Sequence, residues 1–300
     1  MRVNPFYVSN LAFSLNQAQA SEQQLTAQLS SGVRVNSLSD DPLAGGENVL
    51  LLNQMQRDDS FTQTSSLVQG QLQVADSALG GVVAQLTQVV TLATSADNGT
   101  MNGSDLASIS KQIAGIRDEV VSLANTSYQG QYIFGGSQTA VAPFSISNAT
   151  SPATATYSGD ANVNYLQTPN GQKIQLNVPG DQIFMAGGTS VLGVLNQLVA
   201  DFASGVPAAT AVSDTTALST ALNFVSQQRV VVDNSLTRLT AATDAANSEQ
   251  TQLTAAQTTL MQADVAKIAT QLSMAETQQT ALENVIAQLG AGSLFDKLQG

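Results

Sequence analysis

Ser108-Ile109-Ser110-Lys111 has the spacing that penicillin-recognising serine enzymes use for a nucleophilic serine and its lysine. That chemistry also needs an S-D-N and a K-T-G triplet, and the chain contains neither. The motif reads as lying on the polar side of an amphipathic helix, a solvated face. Three acidic pairs come next: Asp40-Asp41, Asp58-Asp59 and Asp118-Glu119. Neighbours on a helix point about 100° apart, so such a pair does not converge on one proton or one metal ion. No EF-hand spacing surrounds them, which leaves solvated or capping roles. Gly135-Gly136 and Gly187-Gly188 match neither a phosphate loop nor a dinucleotide fingerprint and read as hinge turns around a middle segment. The chain has no Cys, no His and no Trp. Disulfides, thiol or imidazole catalysis and zinc sites built on Cys or His are thereby removed. No catalytic, cofactor-binding or metal-binding residue is assigned, no cofactor is implied, and the chain is not expected to be an enzyme.

Three hundred residues allow two to three domains. Charged residues make up 11%, against roughly 25% in ordinary globular chains. Acidic residues outnumber basic ones 22 to 10, a net charge of -12. The ten cations are scattered from Arg2 to Lys297, so no basic patch for nucleic acid or anionic lipid is expected. No run of about 18 apolar residues is read as a membrane span, so no membrane insertion is expected. The first residues carry a single cation, and Asn10, Ser14, Asn16 and Gln17 interrupt the apolar stretch after them, unlike a signal-peptide core. The expectation is a cytoplasmic chain or one that leaves without a cleaved signal.

The elements that would position any site can be read from proline and apolar spacing. Prolines stand at 5, 42, 143, 152, 169, 179 and 207, which leaves 43–142 and 208–300 free for long helices. Apolar residues at alternating three- and four-residue spacing mark coiled-coil-like seams. One seam runs Val8, Leu11, Leu15, Ala18, Glu22, Leu25, Leu29, with Gly32 as a stop. A second runs from Val68 to Ala93 and a third from Leu106 to Leu123. Between these two, Asn98-Gly99 and Asn102-Gly103 form a turn with Ser104 as N-cap. In the C-terminal flank Leu218, Val225, Val232, Leu239, Ala246, Leu253 and Leu260 repeat every seventh residue. A frame one residue out of phase then carries Met261, Val265, Ile268, Leu272, Ala275, Gln279, Leu282, Ile286 and Leu289. The phase break around 253–264 redirects the seam from one bundle to another.

Half of the fourteen aromatics lie between Tyr128 and Phe184, and four prolines fall between 143 and 179, so the middle is a different kind of structure. Val163 and Tyr165 precede Thr168-Pro169-Asn170-Gly171, and Ile174, Leu176 and Val178 come after it, which predicts a β-hairpin. A short helix is predicted over 191–202, with Asp214 as cap of the long helix after it. The fold class is therefore mainly α: a long antiparallel helical bundle or coiled coil from the two flanks, with a small β-rich inserted domain that has its own core. The expected divisions are 1–46 and 255–300 as terminal assembly segments, 47–135 and 190–254 as a helical bundle, and 136–189 as a β-rich outer domain. The terminal seams are expected to find no cover in the middle bundle and to stay weakly ordered until a partner arrives.

Leu29-Ser30-Ser31-Gly32-Val33-Arg34-Val35-Asn36, followed by Asp40-Asp41-Pro42, resembles the N-terminal signature of the bacterial flagellin family. The Asp-Asp-Pro, and Tyr132-Ile133-Phe134-Gly135-Gly136 before Pro143-Phe144, are closer to its hook-associated branch, the hook–filament junction. Ser293-Leu294-Phe295-Asp296-Lys297-Leu298 is similar to the family's terminal helix. The resemblance implies a secreted, self-assembling structural protein of the bacterial flagellum, exported by the flagellar type III route. Its implied partners are further copies of itself in a ring, hook-associated protein 1, flagellin and an export chaperone. Its implied assembly interface joins the seam residues Leu11, Leu15, Leu25, Leu29, Ile268, Leu272, Leu282, Ile286 and Leu289 to Arg34, Asn36, Leu294 and Phe295 of the motifs. The alternatives are a flagellin that forms the filament itself and, in a different class, a coiled-coil adhesin whose middle segment binds a ligand.

Overall fold

The computed structural model describes residues 5–96, 101–185, 190–205 and 209–298, with side chains outside 5–8, 209–212 and 289–298. Asn98-Gly99, Gly187-Gly188 and Pro207 lie outside these descriptions, as does the side chain of Val8. So do the side chains of Leu289, Leu294 and Phe295. Two compact units emerge: Met1–Gln56 with Glu249–Gly300, and Arg57–Ser248. The fold is mainly α with a small β-rich region.

The first unit contains α1 (Pro5–Ser31), the start of α2 (Pro42–Ala96), the end of α6 (Ala209–Met261), and α7 (Val265–Leu298). α1 packs on α7. The seam spacing explains which residues face inward: Leu11, Ala18, Ile268 and Ala275 are buried. Leu15, Leu25, Leu29, Leu272, Leu282 and Ile286 are half-buried beside them. The two terminal helices cover each other, as expected of an antiparallel pair formed by the two flanks. Val265 departs from its predicted seam position: it opens α7 and is exposed. The phase break also differs from a redirected continuous helix. The chain stops at Met261 and restarts at Val265, with the Asp264 carboxylate accepting from the Lys267 N–H at 3.0 Å as a new N-cap. Between the start of α2 and the end of α6, Gln257 Nε2 donates to Asn48 Oδ1 (2.9 Å), and Gln54 donates to the Glu249 carboxylate.

The second unit is built on the remainder of α2 and α6 with α3 (Gly103–Ala124), α4 (Gly180–Phe184) and α5 (Val191–Ala203). The predicted seams are its core: Leu72, Leu79, Val82, Leu86 and Val89 of α2 are buried with Ile113 and Val120 of α3 and Leu218, Val225, Val232 and Leu239 of α6. An 18-residue window of α2 is long and apolar enough to cross a membrane, with 33% of it buried. This corrects the reading of no such window, which rested on contiguous apolar runs and missed average composition. The α2 seam residues from Val68 to Ala93 belong to the unit's own core. α5 packs on α3. There Arg117, itself buried, donates from Nη1 to Asn196 Oδ1 (3.2 Å) and binds Asp118 Oδ1 through Nε and Nη2. Ser110 Oγ donates to the Val199 carbonyl at 2.7 Å.

The β-rich stretch consists of three separate antiparallel hairpins. They pair β1 (Ser127–Tyr128) with β2 (Gln131–Tyr132), β3 (Phe144–Ser147) with β4 (Thr154–Tyr157), and β5 (Tyr165–Gln167) with β6 (Lys173–Gln175). The third is the predicted hairpin, closed by Thr168 N–H to Gln172 O (2.8 Å) and Gly171 N–H to Thr168 O (2.9 Å). The stretch has no separate core. Phe134, Phe144, Ile174, Val178, Ile183 and Phe184 belong to the same buried cluster as the helices. Few long apolar side chains are available within 136–189, so its aromatics complete the helical core instead of closing one of their own.

Tyr132-Ile133-Phe134-Gly135-Gly136 has a physical explanation in this unit. Asp160 accepts from the Ser137 N–H (2.8 Å), the Ser137 hydroxyl and the Asn162 N–H (3.1 Å). These bonds, the Ser137 hydroxyl first, hold its carboxyl down to about 2. Gly136 has φ +69°, and a Cβ there would collide with the Asp160 carboxylate and carbonyl, so only glycine fits. The Tyr157 hydroxyl donates to Phe134 O (3.0 Å) and Asp160 O (2.9 Å) beside it.

Two predicted caps are corrected. The N-cap of α3 is Asn102, whose side chain accepts from the Ser104 and Asp105 N–H groups, so the cap stands before Ser104. Asp214 lies inside α6, since nothing between Ala209 and Asp214 stops a helix. Its carboxyl meets Asp201 of α5, which accepts from Gln197 Nε2 at 2.9 Å. Burial and then Asp201 push the Asp214 carboxyl up to about 6. A raised carboxyl stabilises the fold fully below its unfolded value of 3.8 and loses that contribution as pH rises through about 6. Arg57–Ser248 is therefore expected to gain about 1 kcal/mol, after solvent screening, as pH falls from about 7 to about 5. Denaturant titration checks this: the pH dependence disappears in Asp214→Asn, and an unchanged dependence refutes the pairing.

Candidate functional site: the helix-end junction and the paired termini

Ser108 and Lys111 are exposed on α3, and the Ser108 hydroxyl donates to Ser104 O at 2.9 Å. Asp118 is tied to Arg117, while Asp58 is buried in α2 and departs from the solvated role expected for its pair. Among the described residues no group of three or more Asp, Glu, His or Cys side chains is placed to hold a metal ion. The built polar site lies instead where four helix ends meet in the first unit, at the Leu29–Pro42 signature.

Gly32 ends α1 at φ +68°, its N–H bonded to Gln28 O at 2.9 Å. Val33 then forms an isolated antiparallel bridge with Gln262, in the break between α6 and α7. Arg34 N–H donates to Met261 O (2.7 Å), and Ala263 N–H donates to Gly32 O (3.0 Å). The Arg34 side chain reaches the same helix end: Nη2 donates to Leu260 O at 3.1 Å, and Nη1 pairs with Asp41 Oδ2 at 2.8 Å. The last carbonyls of a helix lack partners within it and carry partial negative charge, so a guanidinium is well matched to them. Asp41 in turn caps α2, its Oδ1 accepting from Ala44 N–H at 3.1 Å with Pro42 as first helical residue. Gln28 Nε2 donates to Arg34 O (2.7 Å) and secures the end of α1.

Asn36 is exposed; its N–H and that of Ser37 donate to Asp40 Oδ2 at 3.0 and 2.9 Å. The Ser37 N–H first lowers the Asp40 carboxyl, and the Ala44 N–H and then Arg34 lower that of Asp41. Both carboxylates support the turn above the ordinary carboxylate range and cease to do so in acid. An open groove of ≈ 710 Å³ adjoins the junction, lined by Arg34, Glu47, Leu50, Leu51, Ala256, Thr259 and Leu260. Leu38, Leu43, Val49, Leu50 and Leu52 are exposed nearby in sequence, and Phe13, Met274 and Val285 are exposed on α1 and α7.

Of the sequence-predicted interface residues, the structure brings Leu11, Leu15, Leu25, Leu29, Ile268, Leu272, Leu282 and Ile286 into the α1–α7 pair. Arg34 and Asn36 stand in the junction. Sequence reasoning left Asp41 between a solvated and a capping role, of which the structure shows the cap, and it missed Leu260, Met261, Gln262 and Ala263 as the residues across the junction from 32–34. Asp before Pro at a helix start signals the cap; backbone carbonyls more than two hundred positions away leave no signal.

Such an arrangement defines a mainly helical chain whose terminal helices α1 and α7 are paired and joined at one junction. Residues 6–139 match the family model of the bacterial flagellin N-terminal helical region. Flagellar hook-associated protein 3 of Salmonella typhimurium is 30% identical over 179 residues, 59% of this chain and 54% of that protein. The protein of the same name from Escherichia coli is 30% identical over 171 residues, 57% of this chain and 52% of that one. The match thus spans about half the length of these curated relatives. The flagellar junction protein FlgL from Legionella pneumophila has the same fold at TM-score 0.60 and 14% identity, over 72% of this chain and 100% of that one. A flagellar hook-associated protein from Vibrio parahaemolyticus gives 0.57 at 19% identity, over 75% and 97%. Over residues 6–139 the chain is thus similar to the bacterial flagellin N-terminal region.

Proposed function

We propose that the chain is a structural, non-enzymatic subunit of the bacterial flagellum, at the junction that joins the hook to the flagellin filament. The observation that carries this reading is the 30% identity over 179 residues to a protein named flagellar hook-associated protein 3. In this reading residues 1–46 and 255–300 are assembly segments, 47–135 and 190–254 the bundle, and 136–189 the outward part. The interface is formed by Leu11, Leu15, Leu25, Leu29, Arg34, Asn36, Ile268, Leu272, Leu282, Ile286, Leu289, Leu294 and Phe295. Copies of the chain form a ring between hook-associated protein 1 and flagellin, after export with the help of an export chaperone.

Deletion of the gene tests the reading. Cells are expected to carry hooks without filaments and to shed flagellin into the medium, and the gene supplied in trans restores filaments. Normal filaments in the deletion strain refute it. The match to the flagellin N-terminal region favours one second reading, a filament subunit. Purified chain that polymerises alone into long filaments would support that reading instead.

A further inference from the structure

The geometry points to residues 32–41 as a latch that makes α1 and α7 order and release as one body, with Arg34 its positioning residue. This inference concerns the chain by itself and does not depend on the flagellar reading. α1 arrives at the junction and α7 leaves from it, so the two helices form an antiparallel pair anchored at one end. That end is held by the two backbone hydrogen bonds around Val33 and Gln262 and by one guanidinium. Arg34 contributes to three of the four helix ends there: its carbonyl to Gln28 of α1, its Nη1 to the cap of α2, and its N–H and Nη2 to the last carbonyls of α6. The fourth end, the start of α7, comes directly after the bridged residues Gln262 and Ala263. The bridge closes a loop of more than two hundred residues, and closure entropy disfavours such a contact unless both strands are already in place. Neither helix can hold its half of the junction alone. Pairing by the apolar seam without the latch would instead let each helix fray from its own free end.

The test is amide hydrogen exchange of the full-length chain. In Arg34→Ala, residues 11–29 and 268–286 are expected to exchange at least tenfold faster, by the same factor, with 57–248 unchanged. Arg34→Lys, which keeps the charge but cannot span Asp41 and Leu260 together, is expected to behave like Arg34→Ala. A cross-link separates the latch from a general loss of structure. Val33 and Gln262 form the non-hydrogen-bonded pair between the two backbone bonds, where Cα atoms lie about 4.5 Å apart, within disulfide range. Val33→Cys with Gln262→Cys, oxidised in the Arg34→Ala background, is expected to restore protection of both helices. The chain has no other cysteine to compete. Acceleration of one helix only, no acceleration, faster exchange across 57–248, or no rescue by the cross-link would each overturn the latch.

Discussion

Ile268→Asp is expected to unpair α1 from α7 while leaving Arg57–Ser248 folded. Ile268 is 5% exposed, at the buried centre of the seam nearest the junction. A carboxylate there must either lose its hydration or force the helices apart. Unpaired burial of a charge costs several kcal/mol, more than a two-helix contact of this kind can sustain. Leu282→Asp acts at a half-buried position further along α7 and is expected to give the same result more weakly. Two measurements check this. The thermal transition of the Arg57–Ser248 unit should remain near that of the wild type, and trypsin or subtilisin should remove both ends of the variant faster. A variant that still protects both ends would show that the pair is held by something other than its seam. Loss of the main transition would place α7 in the larger unit's core. In cells, the same variants are expected to fail to restore filaments to a deletion strain, because the paired ends are the proposed assembly segments.

Phe184→Ala is expected to cost the larger unit about 3–5 kcal/mol, the range for deleting a fully buried aromatic. Phe184 is completely buried; its ring centroid stands 5.9 Å from that of Phe134 and 5.0 Å from that of Phe144, edge to face in both cases. These aromatics join the β-rich stretch to the helical core, so the loss would appear in the cooperative unfolding of the whole unit and not in a separate early transition. Excising residues 135–188 would remove Phe144, Ile174, Val178, Ile183 and Phe184 together from that cluster. Such a shortened chain is expected to melt well below the full one by circular dichroism. A shortened chain of unchanged stability, or a Phe184→Ala protein that loses under about 1 kcal/mol, would show the stretch to be dispensable to the core.

The seams of α2, α3 and α6 were legible because heptad spacing is a local property: every residue from Val68 to Ala93 at three- or four-residue steps went into the core it announced. The hairpin at 165–175, the helix at 191–203 and the stop at Gly32 were legible for the same reason. Turn residues and caps act on their neighbours, so a short window contains their cause. Absence of histidine and cysteine likewise settles which side chains could not do chemistry. Tertiary structure decided what each apolar surface meets. Period gives α1 and α7 an inward side and makes the opposite flank the economical partner, but it does not show the junction that anchors the pair at one end. Aromatic density marks 128–184 as distinct but does not reveal that Phe134, Phe144 and Phe184 complete the helical core. The junction was the least legible of all. Arg34 stands in a recognisable motif, yet its partners are the carbonyls of Leu260 and Met261, which every residue type possesses and no side chain advertises. Long-range backbone hydrogen bonds depend only on where the chain brings its peptide groups together, and that is a property of the fold.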